Sequence, residues 1–272
     1  MQLSEQGKID VTKHIKDYLP DYKGEGGNKI TIHQLLNHTS GMANIDTVKS
    51  MESALKNGLP VYQKPRSTAE LLNDYCSGPL VNEPGKVFDY NNADYIILGK
   101  IIEKLYNRTY EQVVKENILQ PLKMSNTGLL YQQNIINGLA DTYFYRDDIK
   151  SLVPDLPVYM ENWYAAGSMY STVNDLSQFA NAVFGLKLLK QKTLDRMFVP
   201  GLEGYGYGVW VNESHEVNGK KFKTVKRPGQ IMGAQSMLFH VLGSNLTIII
   251  LSNTGTTSLD DFVADISKHI LI

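Results

Sequence analysis

The chain predicts an α+β fold, and three observations carry that prediction. Its middle is a run of helix-start signals followed by apolar residues at helical spacing. Its last quarter holds four strand-length segments separated by turn signals. It closes on a helix from Ser258 that turns Leu259, Phe262, Val263, Ile266 and Ile270 inward. Short links between consecutive strands imply antiparallel pairing. Helices set apart from such a meander define an α+β architecture.

Residues 1–7 read as the last turn of a helix, with Gly7 as its C-cap. Val11 to Leu19 read as a connector closed by Pro20, and Tyr22 to Lys29 as a Gly-rich surface loop. Thr31-Ile32-His33-Gln34 is a capping box whose helix carries Ile32, Leu35 and Leu36 inward. From Met42 to Pro65 the pattern is weak and reads as irregular. Ser67-Thr68-Ala69-Glu70 is a second capping box, opening a helix through Cys76. A long helix to about Tyr106 follows, with Tyr95, Leu98, Ile102 and Leu105 on one face, and another starts at Thr109. Residues 127–160 read as extended segments and loops, 165–172 as a small-residue turn, then helices from Thr172 and over Gln191 to Met197. The strands are expected at Tyr205–Val211, Lys221–Lys226, Met237–Leu242 and Leu246–Leu251, with turns at Asn218-Gly219 and Gly243-Ser244-Asn245.

The bulk numbers exclude several classes. With 27 basic and 28 acidic residues the net charge is −1, and there is no basic stripe for nucleic acid. The longest apolar runs are strand-length, short of the roughly 20 residues of a membrane span. A single cysteine, Cys76, excludes an internal disulfide and reads as a buried, inert thiol. The first residues carry no signal-peptide pattern. No metal-binding His cluster and no Gly-x-Ser-x-Gly elbow is present.

One stretch organises the rest: Asp89-Tyr90-Asn91-Asn92-Ala93-Asp94-Tyr95. A loop reading Asn82-Glu83-Pro84-Gly85 leads into it, and Asn91 or Asn92 caps the helix behind it. A phenol and an amide two residues apart, on the turn entering a helix, can serve one cavity.

The stretch does not stand alone. Ile30-Thr31-Ile32-His33-Gln34-Leu35-Leu36-Asn37-His38-Thr39-Ser40-Gly41-Met42 resembles the "ITI-x-x-LL-x-HTSG" segment of the serine β-lactamase and penicillin-binding-protein family, class C type. Tyr90-Asn91-Asn92 resembles its Tyr-x-Asn box. Residues 166–176 are similar to its "GG-L-x-ST-x-x-DL" turn, Tyr207-Gly208-Val209-Trp210 to its "GLGW" strand, and Ile250-Leu251-Ser252-Asn253 to its last-strand "LTN". The matches are collinear over nearly all 272 residues.

The resemblance implies an antiparallel sheet flanked by helices with an inserted helical domain. It places 1–20 and 199–272 in an incomplete sheet domain and 21–198 in a mainly helical one. It implies acyl transfer through an acyl-serine on a β-lactam, a D-alanyl peptide or an ester, with no metal or organic cofactor and an extracytoplasmic setting. Tyr90 would shuttle protons, and Asn92 would hydrogen-bond the substrate amide and a catalytic lysine. Arg227-Pro228-Gly229 aligns with the family's Lys-Thr-Gly or His-x-Gly box. Arg227 would bind a substrate carboxylate, Gly229 would adjoin it, and the Gln230 N–H would be an oxyanion donor. The Ser-x-x-Lys nucleophile and the leading strands are expected ahead of Met1. The chain is then expected to be inactive or nearly so, with an open sheet edge that invites self-association. The alternative is a non-catalytic relative whose cleft holds a carboxylate ligand, such as a cell-wall peptide. Ser53-Ala54-Leu55-Lys56 is a literal Ser-x-x-Lys in the wrong place, and Ser40, Ser168 and Ser171 read as turn and cap residues.

Overall fold

The computed structural model describes residues 1–48 and 50–271, with Met51 as backbone alone. In chain order come α1 (Gln2–Glu5), α2 (Ile15–Tyr18), a 3₁₀ turn (Glu25–Asn28), α3 (Ile32–Leu36) and α4 (Met51–Asn57). Next are α5 (Thr68–Glu70) running into a π turn (Leu71–Tyr75), α6 (Asn92–Tyr106), and α7 (Tyr110–Val114) running into a second π turn (Lys115–Leu119). Small antiparallel pairs follow: β1 (Gly128–Leu129) with β4 (Met169–Tyr170), and β2 (Tyr143–Arg146) with β3 (Ser151–Pro154), around a 3₁₀ turn (Met160–Ala166). Then come α8 (Val173–Phe184), α9 (Gln191–Met197), β5 (Trp210–Val217), β6 (Lys220–Ile231), β7 (Ala234–Val241), β8 (Thr247–Ser252) and α10 (Leu259–Ile270).

The main sheet is an antiparallel meander in the order β5-β6-β7-β8. The expected α+β architecture stands. Asn218 and Gly219, both at positive φ, close the β5–β6 hairpin, as a two-residue primed turn requires. The pairing of β5 with β6 begins at Trp210↔Lys226. Arg227 to Ile231 therefore pair with β7 alone, and their other edge is free of β5. The far side of β8 pairs with no strand among the described residues.

The apolar packing falls into separate clusters, two of them large. The larger gathers α2, α3, α6 and the loops between them around Ile15, Ile30, Ile32, Leu35, Leu71, Ile96, Ile97 and Ile101, each almost wholly buried. The other lies under α10, through Leu259 and Val263 on Met237, Phe239 and Ile248. The helices α8 and α9 pack on the sheet. Phe184 stacks on His240 at 3.5 Å, and Leu194 and Phe198 meet Val211 and Val225.

Capping is as the sequence reads. Thr31, Ser67 and Thr109 each accept from the backbone N–H three residues on, and Gln34, Glu70 and Gln112 return the bond. Two glycines permit close approach. A Cβ at Gly41, which lies at φ +75°, would fall 2.3 Å from the Asn82 carbonyl. A Cβ at Gly99 would fall 2.6 Å from both Ala165 and Tyr164, where α6 meets the 160–166 turn.

Several local readings are corrected. The first strand is not at Tyr205–Val211: only an isolated bridge joins Tyr205 to Trp210, and the strand runs on to Val217. Gly204 and Gly208, both at positive φ, break the extended run. The segment 22–29 is not a surface loop, since Tyr22, Gly26 and Gly27 are buried and the Tyr22 hydroxyl donates to the Cys76 carbonyl at 2.6 Å. A helical turn, α2, interrupts the expected connector, because Asp17 returns a bond to the His14 N–H. A helix, α4, lies in the stretch read as irregular, capped by Ser50. On α10, Phe262 and Ile270 are about half exposed (53% and 52%), because the buried line is Leu259, Val263 and Ser267 at i, i+4. On α6 the deepest line is Asp94, Ile97, Leu98 and Ile101, while Tyr95, Ile102 and Leu105 are only partly buried.

That last correction is measurable. Ile101→Ala should cost about 2–5 kcal/mol in urea unfolding, and Ile102→Ala clearly less. Equal costs would restore the face read from spacing.

Candidate active site

The entry turn of α6 is fixed before any chemistry is considered. Asn91, wholly buried, is the N-cap: its Oδ1 accepts from the Ala93 N–H, and its Nδ2 donates to the Met42 and Ala43 carbonyls. Asn91 thus serves the backbone and leaves Asn92 free for another partner. The loop before it is tied down as well. Asn44 Nδ2 donates to Asp89 Oδ1 at 2.9 Å and to the Tyr90 carbonyl at 2.8 Å.

Tyr90 projects into an aromatic box. Its ring lies 4.2 Å from His38 and stacks at 5.9 Å on Trp210. Tyr205, fully buried, packs edge-on against both Tyr90 and Trp210. Arg227 enters from β6, and its Nη2 donates to the Tyr90 hydroxyl oxygen at 2.7 Å. Its guanidinium also lies over the Tyr90 and Trp210 rings, at 5.6 and 5.8 Å. Burial works against the Arg227 charge, yet the surrounding Tyr90 and Tyr205 oxygens outweigh it, and the group stays cationic. A fixed positive charge on a phenol oxygen favours any negative charge that develops there.

Asn92 lies on the first turn of α6 with its amide turned to a carboxylate. Its Nδ2 donates to Asp46 Oδ2 at 2.8 Å. Asp46 Oδ1 accepts from the Tyr62 hydroxyl at 2.6 Å, and Tyr62 stacks flat on Trp163 at 3.6 Å. Both tryptophans of the chain therefore border this region. Of the expected site residues, Tyr90 and Arg227 are in direct contact, and Asn92 sits two residues along with a separate partner. Gly229 and Gln230 continue β6 past Arg227, where the strand edge is free of β5. The Gln230 side chain turns back to the Met232 carbonyl at 3.2 Å. A Cβ at Gly229 would lie 2.6 Å from Ser236 Oγ, so a larger residue here requires that hydroxyl to turn away.

Behind Tyr90 is a buried pair. His38 Nδ1 lies 2.9 Å from Asp94 Oδ2, with both side chains almost wholly buried. The Asn91 N–H donates to the same Nδ1 at 3.3 Å. That backbone N–H favours Nδ1 as an acceptor and the proton of the pair on the Asp94 side. Burial pushes His38 down to about 3, aided by the Arg227 charge and opposed by Asp89. Burial raises the Asp94 carboxyl well above the usual range, and Asp89 adds to the effect. Burial thus works against charge on both members. His38 lies at φ 55°, and its Nε2 has no partner among the described residues.

The serines are placed as follows. Ser53 Oγ accepts from Asn57 Nδ2 on the partly exposed α4. Ser40, buried, accepts from the Met42 N–H at 3.4 Å, and Ser168 donates to the Tyr164 carbonyl at 2.8 Å. Ser171 bonds Thr127, while Thr172 caps α8. Among the described residues none of these reaches Tyr90, Asn92 or Arg227. Nor does any group of three His, Cys, Asp or Glu side chains there form a metal site. Burial raises the Cys76 thiol and keeps it protonated. The sequence signals missed Asp46 and the pairing of His38 with Asp94, which join positions 46 and 56 residues apart.

The buried pair predicts a pH dependence. Above about pH 4 unfolded Asp94 loses a proton that the folded state keeps, so the pair's Asp94 contribution falls as pH rises. His38 acts oppositely between about pH 3 and 6.5, where only the unfolded state is protonated. Asp94→Asn removes only the first effect. Its stability relative to the parent should rise by about 1.4 kcal/mol per pH unit above pH 4, read by denaturant unfolding at several pH values. A flat difference would place the proton on His38.

Comparison with known proteins adds the following. The Beta-lactamase family pattern matches residues 1–269. The chain is 29% identical over 212 residues to the putative penicillin-binding protein PbpX of Bacillus subtilis, covering 78% of this chain and 49% of that one. It is 25% identical over 191 residues to the teichoic acid D-alanine hydrolase of Staphylococcus aureus, covering 70% and 44%. The chain thus spans about half the length of these curated relatives. Among solved structures, the penicillin binding protein from Bacillus halodurans superposes with a TM-score of 0.78 at 24% identity, over 100% of this chain and 80% of that one. That likeness establishes the β-lactamase/transpeptidase-like fold. No helix among the described residues is long and apolar enough to cross a membrane. The chain belongs to the Beta-lactamase family of serine hydrolases and penicillin-binding proteins.

Proposed function

We propose that these 272 residues hold the proton-transfer and substrate-binding half of an acyl-serine transfer site acting on a β-lactam, a D-alanyl peptide or an ester. The observation that carries this reading is the 2.7 Å bond from Arg227 to the Tyr90 hydroxyl oxygen, at the free edge of β6. Tyr90 takes the proton from a nucleophile and returns it to the leaving group, and the adjacent guanidinium offsets the charge that passes through its oxygen. Asn92 orients the scissile group. The Gln230 N–H serves as an oxyanion donor. Pro228, which has no N–H, is tolerated in a strand where that position faces a free edge, and the period of two turns Gln230 to the same side. Gly229 keeps that edge bare. Arg227 takes the substrate carboxylate with the donors left over from Tyr90 and the Pro228 carbonyl.

No serine with an adjacent base stands beside Tyr90 among the described residues, so we assign no nucleophile within them and expect this chain alone to turn over little or no substrate. The same observation favours a second reading, in which the cleft binds a carboxylate ligand such as a cell-wall peptide without cleaving it. The open edge of β8 and the exposed Leu251, Phe262 and Ile270 support self-association, expected as a concentration-dependent mass in analytical ultracentrifugation. A monomer at every concentration would exclude it.

Intact-mass analysis after incubation with a reactive penicillin, and separately with an activated ester, tests the main assignment. The expected result is no adduct and no turnover. A single adduct that maps to Ser53, Ser40 or another serine would overturn it and name the nucleophile.

A further inference from the structure

Asp46 is a half-buried carboxylate built into the same wall as the Tyr90–Asn92 turn. Three bonds tie them together: Asn44 Nδ2 to Asp89 Oδ1, Asn44 Nδ2 to the Tyr90 carbonyl, and Asn92 Nδ2 to Asp46 Oδ2. The Asp46 N–H also closes a turn on Asn44 Oδ1 at 3.0 Å. Among the described residues, every donor that reaches the Asp46 carboxylate is neutral: the Asn92 amide and the Tyr62 hydroxyl. Among the described residues no Lys, Arg or His comes within ion-pair distance of it. Burial pushes the Tyr62 hydroxyl far up, and the Asp46 charge adds to that, so Tyr62 stays a neutral donor. The wall therefore presents a carboxylate with neutral donors and no cationic partner among the described residues.

That carboxylate also sets the direction of Asn92. An ionised carboxylate only accepts, so the amide must turn Nδ2 toward Asp46. The Asn92 carbonyl oxygen is then left as an acceptor without a protein partner among the described residues, and it is not among the atoms closed off from solvent. A cleft wall that offers one unpaired amide oxygen and one uncompensated carboxylate suits a group with several N–H donors and a positive charge. It suits the single N–H of an acylated amine less well.

We propose that Asp46 is a specificity-determining residue: held against Asn92, it makes the site select acyl donors that carry a free ammonium group, as in aminoacyl esters and amides. This rests on the reading of the Tyr90–Asn92–Arg227 region as an acyl-transfer cleft. Asp46 acts twice, by fixing the Asn92 amide and by supplying the charge. Charge-assisted hydrogen bonds of this kind give a preference of about tenfold or more.

The test is binding, so it needs no nucleophile. The probes are D-alaninamide and N-acetyl-D-alaninamide, titrated into the full chain below the free amine's pKa of about 8. Trp163, stacked on Tyr62, and Trp210, stacked on Tyr90, report binding by fluorescence. The expected result is that D-alaninamide binds about tenfold tighter. Asp46→Asn should abolish that preference, weakening D-alaninamide far more than the N-acetyl compound. The double variant Asp46→Asn with Asn92→Asp returns one carboxylate to the pair and should restore the preference, which separates charge from a fold defect. Equal binding of the two probes by the parent chain would overturn the inference and leave the cleft reading standing. Binding of neither would overturn the cleft reading and the inference with it. A preference that survives in Asp46→Asn would assign it to another group.

Discussion

The constraint on which the rest depends is the closure of the α6 N-terminus. A helix start leaves backbone N–H groups without partners, and here a fully buried asparagine satisfies one of them while binding two carbonyls of the preceding loop. Because Asn91 does this work, its neighbours project outward in fixed directions. Tyr90 meets Arg227 across the gap to the sheet, and Asn92 meets Asp46 on the helical side. The cap sets the geometry of the site.

Charge is distributed around that turn according to burial. At His38 and Asp94, both almost wholly buried, burial works against either charge, since in that environment two charges would cost more than their attraction returns. They form the back of the tyrosine box. Charge survives where solvent or aromatic faces compensate it. Arg227 keeps its cation between two ring faces and a phenol oxygen. The half-buried Asp46 carboxylate meets two neutral donors. The site thus has a positive end on β6 and a negative end on the loop before α4, with Tyr90 and Asn92 between them.

Much of this was legible in the sequence where it depended on neighbours in the chain. The capping boxes at Thr31, Ser67 and Thr109, the Asn218-Gly219 turn and the long helix after Asn91 use contacts three or four residues apart or a local φ preference. The misreadings share a cause. Residues 205–209 alternate like a strand, but glycines at positive φ take them out of the extended region. Ile102 and Phe262 sit at helical spacing with core residues, yet which stripe is buried is set by the partner surface. Tyr22 and its glycines look like a solvent loop until the Cys76 carbonyl is brought against them.

The sequence by itself determined the α+β class, the order of its elements, the family and the position of the Tyr90–Asn92 turn. Each of these is written in short-range periodicity and capping chemistry, or in collinear motifs. Only the tertiary structure decided that Arg227 touches Tyr90, that Asp46 holds Asn92, and that His38 and Asp94 meet in a site that disfavours charge on both. Those facts come from residues 137, 46 and 56 positions apart. Nothing in a linear pattern encodes a contact between such residues, because it exists only when the separate packed faces have closed on one another.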